Sequence, residues 1–134
     1  MIAYLKIARF DHWIKQLFIL PGVWLAWVMT KGGSNSFLHV LLGLVATSLA
    51  ASANYVINEW LDAEFDKYHP VKRTRPAVTE GLNAGIVYTE YVCFLVASLI
   101  VAFFINRPTF ITIAILLVMG ILYNVKPIRT KDIP

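Results

Sequence analysis

The chain has 134 residues, of which 58% are hydrophobic and only 15% charged, and its net charge is +4. Soluble domains carry roughly 25% charged residues, and here the apolar residues come in long blocks, so an ordinary soluble core is excluded and a membrane is indicated. The basic residues flank those blocks, so topology and lipid head groups account for them, and nucleic acid is not an expected partner.

Length allows one domain, residues 1–134. The first bases, Lys6, Arg9 and Lys15, precede an apolar run over 16–30. No small-residue cleavage site follows it, so it reads as a first transmembrane helix, extending back through Trp13, and not as a signal peptide. Trp24 and Trp27 near its far end read as an aromatic belt. "KGGSN" at 31–35 is a tight turn. A second uncharged segment covers 37–57, with His39 at its start as an interfacial residue. A third covers 91–106, entered a turn earlier at Ile86, and a fourth covers 108–125 with Pro108 at a helix start. None alternates like a strand, and helices satisfy their own backbone in lipid. The predicted fold is therefore all-α, a polytopic bundle of four transmembrane helices. Cys93, inside the third segment, is expected as a small buried hydrophobe that forms no internal disulfide.

Four crossings put both termini on one side. That side, with the long 58–84 connection, holds ten basic residues: Lys6, Arg9, Lys15, Lys67, Lys72, Arg73, Arg75, Lys126, Arg129 and Lys131. The other side holds Lys31 and Arg107. The positive-inside rule places the ten in the cytoplasm, at a bacterial-type inner or plasma membrane.

The connection begins "NEWLDAEFD" (58–66), a continuation of the second helix. Asn58, Asp62 and Asp66 are spaced i, i+4, i+8, and Glu59, Asp62 and Asp66 are spaced i, i+3, i+7. One helix face thus presents an amide and three carboxylates, while Glu64 points elsewhere. Like charges one turn apart repel by up to roughly 4 kcal/mol at an effective dielectric of 20. The ladder is tolerable at a membrane surface, around a wet cavity or with a cation. Hard oxygen donors without Cys or a His pair suit Mg²⁺, which takes one or two carboxylates and completes its shell with water and phosphate oxygens.

"KYHPVKRTRP" (67–76) follows at once. His69-Pro70 and Arg75-Pro76 break the helix and hold Lys72, Arg73 and Arg75 on a short bent segment. His69 itself reads as a helix-end residue. Guanidinium and ammonium groups suit phosphate, so ladder and loop read as two halves of one phosphate site, beside the alternative that the bases only set topology. Glu90 faces either the polar cavity or the interface, beside the interfacial Tyr88 and Tyr91. Tyr123, Asn124 and Lys126 are candidates for lining the substrate cavity or for anchoring the fourth helix.

These residues resemble the UbiA superfamily of intramembrane prenyltransferases, whose first signature is N-D-x-x-D-x-x-x-D followed by a basic loop ending in R-P. Here the signature reads N-E-W-L-D-A-E-F-D, then K-R-T-R-P. The resemblance implies Mg²⁺ on Asp62 and Asp66, supported by Asn58, and diphosphate contacts from Lys72, Arg73 and Arg75. It also implies transfer between a diphosphate donor and an acceptor, with a polyprenyl lipid as one partner. Glu59 stands where the family usually has Asp; it is a third candidate ligand, by direct or water-mediated contact. The loop "HPVKRTRP" and the N-terminal "HWIKQLFILPG" are similar to the polyprenyl-phosphate phosphoribosyltransferase branch, in which phosphoribosyl diphosphate is the donor and polyprenyl phosphate the acceptor. Lys15 and Arg9 are then either lipid-phosphate contacts or interfacial anchors.

The family carries a second Asp-rich motif on a later helix. This sequence stops at "YNVKPIRTKDIP", and Asp132 stands alone without a ladder. The resemblance thus implies a truncated sequence, or a half-molecule needing a companion chain, that is inactive by itself. Two other readings stand beside it: a non-catalytic structural membrane subunit and a divalent-cation-binding membrane module.

Overall fold

The computed structural model describes residues 2–29, 37–126 and 129–132, and among these every regular element is helical. The turn expected at 31–35 lies outside the described residues. The α-helices in chain order are α1 (Ile2–Ile7), α2 (Leu20–Met29), α3 (Phe37–Asp66), α4 (Pro76–Thr79), α5 (Ala84–Ile105) and α6 (Arg107–Asn124). Tighter 3-10 segments run over Phe10–Ile19, Lys72–Thr74 and Thr130–Asp132.

Three helices, α3, α5 and α6, are long and apolar enough to cross a membrane. The first expected span differs from a single long α-helix: a 3-10 segment over Phe10–Ile19 hands over to α2 at Leu20. Pro21 accounts for the break at the handover. It has no N–H to donate, and its ring would clash with the carbonyl of Leu17 if a continuous α-helix ran through it. Leu17 O instead accepts a short-range bond from Leu20 N, and Pro21 falls in the first turn of α2, where proline is tolerated.

α3 has 30 residues and is about 45 Å long, against about 30 Å of bilayer hydrocarbon. Its apolar part therefore fills the membrane and its last turns, which carry the acidic ladder, project beyond. The helix stops at Asp66, ahead of His69-Pro70. His69 Nδ1 then accepts from the backbone N–H groups of Val71 (3.2 Å) and Lys72 (3.3 Å), so this side chain organises the next turn. Pro76 opens α4 from an extended Arg75. Asn83 caps α5 by accepting from Gly85 N and Ile86 N, and Asn106 caps α6 by accepting from Thr109 N.

The packing core is made of small residues. Ala46, Ala50 and Ala53 lie on one face of α3, fully buried against Ala102 of α5 and Ile113 and Leu117 of α6. Small side chains let helices approach closely where lipid supplies no hydrophobic drive between them. A second cluster ties Ile7 and Ala8 to Val56 of α3 and Val87 of α5. The Trp13 indole N–H donates to Ser52 Oγ at 3.0 Å, anchoring the 3-10 segment to α3. Trp24 and Trp27 face outward, as an interfacial belt requires. Cys93 departs from its expected burial: it is exposed on α5, whose buried face carries Val87, Ser98 and Ala102 instead.

Candidate functional site

At the end of α3 a cleft of about 910 Å³ opens between α3, α6, the 3-10 turn at Lys72–Thr74 and the C-terminal turn. The i, i+4 spacing brings Asn54, Asn58, Asp62 and Asp66 into its lining. α6 contributes Leu116, Met119, Gly120, Tyr123 and Asn124. Lys72 and Arg75 enter from one side, Arg129 and Lys131 from the other. Four cations thus surround two carboxylates, leaving two positive charges in excess, while Leu116 and Met119 give the cleft an apolar wall towards the membrane.

Each aspartate has its own cationic partners. Arg75 Nη1 donates to Asp66 Oδ2 at 2.7 Å, and Lys72 Nζ stands 3.9 Å from Asp66 Oδ1. Asp62 Oδ1 accepts from Lys131 Nζ at 2.6 Å and from Arg129 Nη2 at 3.0 Å. Lys131 also donates to Asn58 Oδ1 and Asn124 Oδ1, both at 3.0 Å. The exposed Phe65 ring carries the Arg129 guanidinium 4.8 Å from its centroid and Lys126 Nζ at 5.9 Å.

Among the sequence-predicted residues, the cleft collects Asn58, Asp62, Asp66, Lys72, Arg75 and Tyr123. The others are placed elsewhere. Arg73 is exposed and outside the lining, because the tight turn at Lys72–Thr74 sends its side chain away from its neighbours'. Lys15 is exposed on the N-terminal 3-10 segment, away from the cleft. Lys126 lies at the rim, over Phe65. Glu90 lies outside the lining, with Oε2 buried and no hydrogen-bond partner among the described residues.

Glu59 turns to the opposite flank of the ladder. Its side chain is buried, accepts from Ala77 N at 3.5 Å, and stands 3.7 Å from Arg9 Nε. Arg9 also lies over the Tyr55 ring at 5.6 Å, and His12 meets the same ring edge-on. Arg9 and Glu59 thus join the N-terminal segment, the end of α3 and α4, while Asp62 and Asp66 face the cleft.

Arg129, Lys131 and Asn54 were missed as site residues by sequence reasoning. The first two sit 67 and 69 residues from Asp62, and only the basic tail after α6 hinted at them. Asn54, one turn before Asn58, was legible from the i, i+4 series.

The donor set fits a hard cation. Asn58, Asp62 and Asp66 offer oxygen only, and three oxygens already hold the Lys131 ammonium as a stand-in charge. Among the described residues no group of three or more His, Cys, Asp or Glu side chains gathers as a cage. Mg²⁺ requires none, since one or two carboxylates suffice when phosphate completes its shell.

The UbiA prenyltransferase family matches residues 18–134. The decaprenyl-phosphate phosphoribosyltransferase of Mycobacterium tuberculosis is 30% identical over 122 residues, covering 88% of this chain and 40% of that protein. The protein of the same name from Corynebacterium glutamicum is 28% identical over 99 residues, covering 74% and 30%. The 4-hydroxybenzoate octaprenyltransferase of Ralstonia nicotianae is 38% identical over 85 residues, covering 63% and 27%. The chain thus spans less than half the length of these relatives. The match nevertheless runs across most of this chain, on helices whose length and apolarity suit a bilayer, and so this integral membrane protein belongs to the UbiA prenyltransferase family.

Proposed function

We propose that this chain forms the first half-site of a Mg²⁺-dependent membrane transferase that moves a group from a diphosphate donor to an acceptor, a polyprenyl lipid being one of the two. The carrying observation is that Asp62 and Asp66 share one cleft with Lys72, Arg75, Arg129 and Lys131. The reading favoured is phosphoribosyl transfer to polyprenyl phosphate. The Mycobacterium tuberculosis relative named for that reaction aligns over 88% of this chain, and the loop "HPVKRTRP" points the same way.

Asp62 and Asp66, with Asn58 beside them, would hold Mg²⁺, which supplies charge neutralisation to a diphosphate leaving group. The chain's own cations do the rest of that work from the other side. Lys72 and Arg75 on a Pro-bounded turn, and Arg129 and Lys131 on the C-terminal turn, offer fixed donors to phosphate oxygens. Leu116, Met119 and the Tyr123 ring give a lipid chain an apolar path out of the cleft. Glu59 and Arg9 hold the wall together and are not placed at the reacting groups.

The first span is part of the same proposal. From Trp13 to Met29, seven residues of 3-10 helix and ten of α-helix rise about 29 Å together, close to the hydrocarbon thickness, with Lys15 near one end able to snorkel. That fourth crossing puts the cleft and both chain ends on the cytoplasmic, Lys/Arg-rich side.

The test offers membranes carrying the protein, in its longest reading frame, labelled polyprenyl phosphate with phosphoribosyl diphosphate. In parallel they receive a polyprenyl diphosphate with 4-hydroxybenzoate. Label in a phosphoribosyl lipid, lost on chelation of Mg²⁺, is the expected result. Product from the second pair alone would overturn the branch, and product from neither would overturn the transferase reading.

A separate prediction concerns Glu59. Glu59→Ala is expected to leave Mn²⁺ affinity within about threefold, because the side chain faces Arg9 and not the cleft. Limited proteolysis within residues 2–19 should accelerate several-fold as the N-terminal segment loosens. A loss of Mn²⁺ binding equal to that of Asp62→Ala would return Glu59 to the metal ligands.

A further inference from the structure

Lys131 has every N–H donor of its ammonium engaged within the cleft. Its ammonium has three N–H donors, and three oxygens meet them: Asp62 Oδ1, Asn58 Oδ1 and Asn124 Oδ1 at 2.6, 3.0 and 3.0 Å. The side chain is only 10% exposed. The turn that delivers it is costly in local terms, since Arg129 takes a φ of +26°, a region that non-glycine residues avoid. Arg129 Nη2 adds a second positive charge on Asp62 Oδ1. The oxygen best placed to bind a metal is therefore already held by two cations of this chain.

Mg²⁺ demands its oxygens at about 2.0–2.1 Å in near-octahedral array. An ammonium seated among the same three oxygens occupies that space and repels a divalent charge. We propose that Lys131 is a tethered cation that closes the Asp62 metal position until a diphosphate arrives, so that metal and diphosphate enter as one complex. This deepens the reading of the cleft as a metal–diphosphate site and rests on it. The arriving phosphate oxygens give Lys131 an alternative anion within the same cleft. Its flexible four-carbon stem lets the ammonium move from carboxylate to phosphate without unfolding the turn. Metal alone should bind poorly, and diphosphate should strengthen metal binding through the lysine as well as through direct ligation.

The test follows Mn²⁺ by electron paramagnetic resonance with the chain in nanodiscs, with and without inorganic diphosphate. Lys131→Met is expected to bind Mn²⁺ alone at least about tenfold tighter than the wild type. Diphosphate should then tighten Mn²⁺ binding less in Lys131→Met than in the wild type. Asn124→Ala keeps the ammonium but removes one of its three acceptors, and a smaller gain in the same direction is expected. That variant also carries the test if Lys131→Met fails to fold. Asp62→Asn should abolish the gain in either background. Equal Mn²⁺ affinities in wild type and both variants, with diphosphate-dependent binding intact, would overturn the lysine's role alone. No diphosphate-dependent Mn²⁺ binding in the wild type would overturn the metal–diphosphate reading, and the inference with it.

Discussion

Asp62→Asn is expected to lower transfer by about 10²- to 10³-fold while the helices still insert. Asp62 accepts from both Lys131 and Arg129, and it stands one turn from both Asn58 and Asp66. The amide keeps the shape but loses the charge. It can neither hold a divalent cation as a carboxylate does nor balance two cations that are each about 10% exposed. A loss of stability of about 1–3 kcal/mol accompanies the change, because charged hydrogen bonds are weakened in a nearly dry site. Turnover in membranes and a thermal melt by circular dichroism separate the two effects. Near-normal turnover in the variant would remove Asp62 from the chemistry.

The second large effect belongs to Gly120. A Cβ at this position would collide with the Asn54 side-chain amide. Gly120 O also accepts from Asn124 Nδ2 at 2.9 Å, so the same turn of α6 positions an amide that holds Lys131. Gly120→Val must either push Asn54 into the cleft or part α6 from α3. Overpacking of this kind costs about 1–3 kcal/mol. A displacement near 1 Å at the lysine's acceptors should lower transfer by about 10²-fold. Combining Asn54→Ala with Gly120→Val should recover part of the loss, because the three atoms nearest the added Cβ all belong to that side chain. Wild-type melting and turnover in Gly120→Val would show that the close approach carries no weight.

What was legible in the sequence follows the reach of each interaction. Asn58, Asp62 and Asp66 share a face because helical spacing is local, and the apolar length of α3 already put that face beyond the hydrocarbon. His69-Pro70 follows the end of α3, and Pro76 opens α4 from an extended Arg75. Pro108 lies in the first turn of α6 as expected, while Asn106, read as the end of the third segment, caps that helix.

The misreadings were of longer range or of one residue's reach. Glu59 has ladder spacing, but Arg9 and Ala77 N, 50 and 18 residues away in sequence, draw it to the other flank. Arg129 and Lys131 read as topology-setting charge because nothing local shows a turn folding back onto α3. The 3-10 geometry ahead of Pro21 has no compositional signature, and Pro21 alone marked the break. Cys93 sits in a segment apolar on every side, so its sequence gives no sign of which face packs inward.

The most direct test of the central claim is pulsed electron paramagnetic resonance on Mn²⁺ and inorganic diphosphate bound to the chain in nanodiscs. If the ladder and the basic turns form one metal–diphosphate site, the protein-bound Mn²⁺ will show ³¹P coupling. That signal will vanish in the double variant Asp62→Asn/Asp66→Asn and weaken in Arg75→Ala. A ³¹P-coupled, protein-bound signal of undiminished amplitude in the double variant would contradict the account.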